Sequence, residues 1–259
     1  MATALIGGLC KSGSDPASIF VADPNQDQVA TLVNSLNVVA CKDNQALADA
    51  CDVLVLAVKP QTIKTVVQAL TIREGTLIVS IAAGIRCNSL QSWSTTECAI
   101  VRSMPNTPAL VQCGAAGLFA NQWVSDAQRQ IAETIMSAVG MALWVDEEDQ
   151  LDAVTAVSGS GPAYFFYMME AIESAGVELG LTPQTSRALT LQTALGAAKL
   201  AINSDEATAQ LRAKVTSPGG TTEAAINHLQ ATHSLDNIKQ AVTAAYNRSQ
   251  TLAEQSASD

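Results

Sequence analysis

As far as Asp152, short β-branched runs alternate with amphipathic stretches whose apolar positions recur at helical spacing. The runs at residues 19–22, 53–58, 77–81, 99–102, 115–119 and 142–145 predict strands, and the stretches at 26–34, 44–50, 61–70 and 127–139 predict helices. This alternation predicts an α/β fold with a mainly parallel, doubly wound sheet, whose ligands sit beyond the carboxyl ends of the strands. After Asp152 no comparable strand run occurs, and punctuation divides the remainder into helices. Gly161-Pro162 opens 163–179, Thr182-Pro183 opens a helix to about Ile202, and Ser204 can cap 205–213. Thr221-Thr222 begins a helix ending near Leu229, and Ser234 begins the last, which gives way to a polar tail at Gln255. The pattern therefore predicts an α/β domain over 1–151 and an all-helical domain over 152–259. Residues 188–201 are nearly apolar all round, which suits a helix buried between subunits.

The opening residues depart from this plan. A doubly wound domain begins with a strand, a glycine-rich turn and a helix, yet residues 1–9 already read as the helix. The first strand and its G-x-G turn are not in this sequence.

Composition narrows the partners. The 259 residues are 48% hydrophobic but only 4% aromatic, so packing must rely on aliphatic side chains. A net charge of −10 argues against nucleic acid or an anionic membrane surface and leaves a small molecule as the default ligand. Six scattered cysteines, without a C-x-x-C pair and with only two histidines to join them, argue against a metal site and for a reducing, cytoplasmic setting. The longest apolar runs, 53–58 and 77–85, fall short of the roughly 20 residues of a membrane helix. His228 and His233 lie five apart, off the spacing that places two ligands on one helical face. The acidic cluster at 146–149 reads as a solvated junction between domains.

Four segments carry residues that packing alone does not demand. Ala57-Val-Lys-Pro-Gln61 ends the clearest strand run and can lay backbone and Lys59 against a dinucleotide, or be an ordinary strand-ending turn. Ser80-Ile-Ala-Ala-Gly-Ile85 has the small residues that let either a ligand or a helix come close. Ser158-Gly-Ser-Gly-Pro-Ala-Tyr164 reads as a glycine and hydroxyl cradle at a helix N-terminus and as a hinge between domains. Val215-Thr-Ser-Pro-Gly-Gly-Thr-Thr222 offers backbone N–H groups and hydroxyls in a carboxylate-sized nest.

Lys59-Pro60, 80–85, Arg102-Ser-Met-Pro-Asn-Thr-Pro108 with Gly114, 152–164 and Ser217-Pro-Gly-Gly-Thr-Thr222 closely resemble the pyrroline-5-carboxylate reductase family, in order and at the family's spacings, across essentially the whole chain. The resemblance implies a Rossmann-like dinucleotide-binding domain, a helical substrate and dimerisation domain, and assembly as dimers or rings of dimers. It implies reduction of the cyclic imine of 1-pyrroline-5-carboxylate to L-proline by NADPH or NADH. Carried over by position, Met1, Asp23, Asn25, Asn44, Ala57, Val58, Lys59, Pro60, Ile81, Ala82 and Ala83 line the cofactor, with Lys214 beside it. Glu148, Ser217, Gly219, Gly220, Thr221 and Thr222 hold the substrate, with Thr222 hydrogen-bonded to the ring nitrogen as the catalytic group. Met1-Ala2 aligns with the end of the family's G-x-G-N-M-A-type turn. The expectation is therefore either a start at an internal Met of a longer natural chain or a cofactor-defective oligomeric relative. A related imine reductase or hydroxyacid dehydrogenase would use a lysine or acid of the helical domain, where Lys199, Lys214 and Lys239 lie in no recognisable catalytic motif. Asp23 favours NADH, while the sequence leaves the choice from NADPH open.

Overall fold

The computed structural model describes residues 1–258. Its main sheet has the order β3-β4-β5-β6-β7, made of β3 (Val53–Leu56), β4 (Leu77–Ser80), β5 (Ala99–Met104), β6 (Gly114–Ala120) and β7 (Gly140–Trp144). Pairing is parallel except between β5 and β6, where Arg102 stands opposite Phe119. Two shorter strands, β1 (Phe20–Val21) and β2 (Val39–Ala40), form a separate parallel pair.

Alternation along β4 explains the layering. Ile78 joins Ile63, Val67 and Leu90 on one face, with helices α4 (Pro60–Gln68) and α5 (Cys87–Trp93). Leu77 and Val79 join Leu5, Leu118 and Met136 on the other, with α1 (Ala2–Lys11) and α6 (Asp126–Ser137). All four residues of β4 are buried, as a two-sided parallel strand requires. Helix starts follow their caps: Asn25 on α2 (Gln26–Leu36), Asp43 on α3 (Asn44–Ala50), and Ser125 with Gln128 in a capping box on α6.

Packing divides the chain after Ser160 rather than after residue 151, and returns the chain from Ala244 onward to the N-terminal unit. The physical reason is that α7 (Gln150–Val154) packs against β5 and β6, while Ser249 of α12 (Ser234–Ser258) donates to the buried Asp152. The second unit, Gly161–Thr243, contains α8 (Gly161–Glu178), α9 (Pro183–Ile202), α10 (Thr208–Lys214) and α11 (Thr221–Ala231). Helices α8 and α9 form a hairpin locked where Ser186 donates to the Glu173 carbonyl at 2.7 Å, over the space left by Gly176.

Several local expectations are corrected. Segment 158–164 is not an open cradle ahead of a helix: residues Thr155–Gly159 form a π-helical turn that joins α7 to α8, closed by Ser160 N to Thr155 O at 2.8 Å, and Gly161 to Tyr164 are the first turn of α8. Ser204 caps no helix from 205; its hydroxyl accepts from Glu206 N, and α10 starts at Thr208. Helix α12 continues past Gln255, and α5 and β2 had no clear pattern in the sequence. Among the described residues no helix is long and apolar enough to cross a membrane.

The second unit is short of apolar cover. Phe165, Phe166, Tyr167 and Ile172 on α8, and Leu189, Leu195 and Leu200 on α9, are all exposed in the single chain. So large an apolar surface on one hairpin calls for a partner. Light scattering at micromolar concentration is expected to give at least a dimer, and Leu195→Lys is expected to shift that mass downward; a monomeric wild type would overturn the expectation.

Candidate active site

The turns singled out in the sequence follow strand ends. Ala57, Val58, Lys59 and Pro60 link β3 to α4, with Lys59 as the N-cap residue and Pro60 at the first helical position. Ile81, Ala82 and Ala83 follow β4, its parallel neighbour, so both turns open at the same carboxyl edge. Ala57 and Ala83 are exposed, whereas Ala82 is buried. Gly84 completes the second turn at φ 74°, a conformation that strains any residue with a side chain, and it lies against Ala253 of α12, where a Cβ would make only ordinary contact at 3.6 Å. Beside this turn lies a cavity of about 260 Å³, bordered by Ala83, Gly84, Thr155, Ser160 and Leu252.

Asp23 and Asn25 follow β1, and both hold the chain in shape. Asp23 Oδ1 accepts from Asn25 N at 2.7 Å, and Asn25 Oδ1 caps α2 through Asp27 N and Gln28 N. Asn44 is the exposed first residue of α3, whose cap is Asp43. Met1 is the N-cap residue of α1 and gives that helix no side-chain cap.

Between the strand ends and α7 lies a set of charges that sequence reasoning did not assemble. Arg102 of β5 is 5% exposed, and its Nη1 donates to Glu148 Oε1 at 2.8 Å. The same oxygen accepts from Cys87 N at 2.7 Å, and the Cys87 thiol is a further hydrogen-bond partner of this carboxylate. Arg86 donates to the Glu148 carbonyl at 3.2 Å, pairs with Asp149 at 3.0 Å and donates to Asp152 Oδ2 at 2.5 Å. Ser249 donates to Asp152 Oδ1 at 2.6 Å. Burial pushes the Cys87 thiol far above its ordinary range, and the Glu148 carboxylate beside it adds to the effect. Arg86 is a lone charge among small and apolar residues, but Asp152 follows the acidic cluster at 146–149, and neither neighbourhood points to the other.

In the second unit, residues 217–220 make a tight turn in which Gly220 N donates to Ser217 O at 3.0 Å. Pro218 precedes Gly219, whose φ is 71°, so the turn has the residues and sign of a type II turn. The expected backbone donors shift by one step. Gly219 N is taken by Glu223 Oε2 at 2.8 Å and Gly220 N by the turn itself, so the open N–H groups are those of the first turn of α11. The N-cap residue of α11 is Gly220, and among the described residues the hydroxyls of Thr221 and Thr222 have no partner. Thr222 is therefore not the cap. Lys214 is held by both carboxylate oxygens of Glu206, at 2.6 and 2.7 Å.

Residues 148–252 match the family model described as pyrroline-5-carboxylate reductase dimerisation, and residues 1–84 the one described as NADP oxidoreductase, coenzyme F420-dependent. A pyrroline-5-carboxylate reductase of Pseudomonas aeruginosa is 53% identical over 258 residues, covering 98% of this chain and 94% of that protein. The solved pyrroline-5-carboxylate reductase of Coxiella burnetii is 43% identical, with a TM-score of 0.93 over 97% of this chain and 94% of that one. The pyrroline carboxylate reductase of Plasmodium falciparum, solved with NADP bound, is 29% identical with a TM-score of 0.86 and the same coverage.

Removing one partner of the Arg102–Glu148 pair strands a buried charge. Arg102→Met is expected to destabilise the fold by about 3–5 kcal/mol in urea unfolding, and adding Glu148→Leu to recover part of that loss. Cys87, neutral when folded, contributes stability that is intact below the unfolded thiol value of 9.0 and declines as pH rises above it, because only the unfolded chain then ionises. At mildly alkaline pH iodoacetamide is accordingly expected to modify the exposed Cys113 and to spare Cys87 until the protein unfolds.

Proposed function

The chain belongs to the pyrroline-5-carboxylate reductase family, and on that premise we propose that it reduces the C=N bond of 1-pyrroline-5-carboxylate to L-proline, the last step of proline biosynthesis, using NADPH or NADH. The observation that carries the site assignment is the open first turn of α11, where unpartnered N–H groups and the two unpartnered threonine hydroxyls follow the 217–220 turn. A helix N-terminus favours the substrate carboxylate.

The N-terminal unit fits a dinucleotide. Exposed Ala57 and Ala83 end two parallel strands with side chains too small to keep a ligand off the backbone. Residues 57–60 and 81–83, with Met1, Asp23, Asn25 and Asn44, would hold it, and Lys214 would reach it only by exchanging its bond to Glu206. When bound, the nicotinamide supplies the hydride that the imine carbon accepts. The chain's own residues do the rest. The α11 first turn fixes the carboxylate and with it the ring. The Thr222 hydroxyl donates to the ring nitrogen, directly or through a water, as that nitrogen passes from imine to amine. Glu148 meets the substrate with a partly exposed carboxylate that Arg102 and Cys87 orient.

The exposed faces of α8 and α9 support a dimer as the building block, with rings of dimers as its assembly, and the six free thiols suit a reducing cytoplasm.

Purified protein is expected to oxidise NADPH in the presence of the imine with matching formation of proline. Thr222→Ala is expected to lower turnover about 10- to 1000-fold with cofactor affinity unchanged. Thr221→Ala is expected chiefly to raise KM. Gly219→Val, which places a β-branched residue at φ 71°, is expected to damage both. Normal turnover by Thr222→Ala would remove Thr222 from the chemistry.

A further inference from the structure

Arg86, Asp152 and Ser249 come from three parts of the chain and meet at one carboxylate. Asp152 is 2% exposed and Ser249 6%. Oδ2 of Asp152 receives Arg86 and Oδ1 receives the Ser249 hydroxyl. A carboxylate so far from water persists only where its partners replace hydration, and here both oxygens are matched.

Their places in the fold separate these residues from an ordinary buried ion pair. Arg86 directly follows the turn after β4, the turn assigned to the cofactor. Asp152 lies in α7, just ahead of the passage at Ser160–Gly161 where the chain leaves the N-terminal unit. Ser249 lies in α12, just after the passage at Thr243–Ala244 where the chain returns. Both passages are helical. The first runs through the π turn, where the i to i−4 hydrogen bonding of the α-helix is interrupted. The second leads to Leu252 and Ala253, which lie against Gly84. One carboxylate thus ties both passages to each other and to the cofactor turn.

We propose that the Arg86–Asp152–Ser249 clasp is a positioning device for the imine-reducing site. It fixes, within the N-terminal unit, the two segments by which the chain leaves that unit and returns to it beside the cofactor turn, and acts through them rather than by touching substrate. The inference rests on the imine-reductase reading for its kinetic consequence and on the geometry alone for its mechanical one.

The test uses the full chain with Ser249→Ala, which removes one hydroxyl, and Ser249→Thr, which restores it. Ser249→Ala is expected to raise KM for the imine about tenfold while NADPH affinity stays within about twofold. It is also expected to speed amide hydrogen exchange selectively in residues 155–161 and 240–246, and Ser249→Thr to return both readouts to the wild-type values. Unchanged KM and exchange in Ser249→Ala would overturn the clasp. So would faster exchange spread evenly over the protein, or a parallel loss of NADPH affinity, since either marks general loosening. A wild type that does not reduce the imine would overturn the functional reading instead, and the local exchange pattern would still decide the clasp.

Discussion

Strand β4 is covered on both faces, and this constraint governs what the N-terminal unit can offer a ligand. With Ile78 in one apolar layer and Leu77 and Val79 in the other, neither face of the sheet is open at β4. What remains is the edge where the parallel strands end, and there the chain places small residues instead of large ones. The strands are aliphatic because they are enclosed, whereas Ala57 after β3 and Ala83 after β4 are exposed and small, so the backbone at that edge is open to approach.

The charged groups behind that edge follow a different logic. Arg102 and Glu148 meet away from water, a costly placement for packing alone. The Glu148 carboxylate stays partly exposed beside Arg102 and Cys87, whereas Asp152 is buried with both oxygens matched. Two carboxylates four positions apart therefore differ in access: one can be reached from solvent and the other is committed to the fold. Thr221 and Thr222 make a similar contrast with Ser125, a hydroxyl already used as a helix cap.

How much of this was legible depended on whether the determining contact is local. The alternation of β-branched runs and helical stretches marked every strand of the main sheet, and Thr182, Pro183 and Ser234 marked helix starts, because those signals act over a few residues. The turns at 57–60, 81–83 and 217–222 were visible for the same reason. Short strands such as β2 have too few residues for a period, and α5 is too short to show one. The π turn was misread as a loop because Ser158, Gly159, Ser160 and Gly161 have weak helical preference, while Gly159 sits where a Cβ would strike Met104. The Arg86, Asp152 and Ser249 contact joins residues far apart in sequence, and no local pattern announces it.

The π turn has one further consequence. An α-helix advances by about 100° per residue, so accommodating one additional residue in a turn changes the phase of every side chain that follows. A helical period counted through this stretch therefore slips between Thr155 and Ser160, and the stripe of Phe165, Phe166 and Ile172, which the hairpin with α9 leaves bare for another subunit, has to be read from a count begun at Gly161.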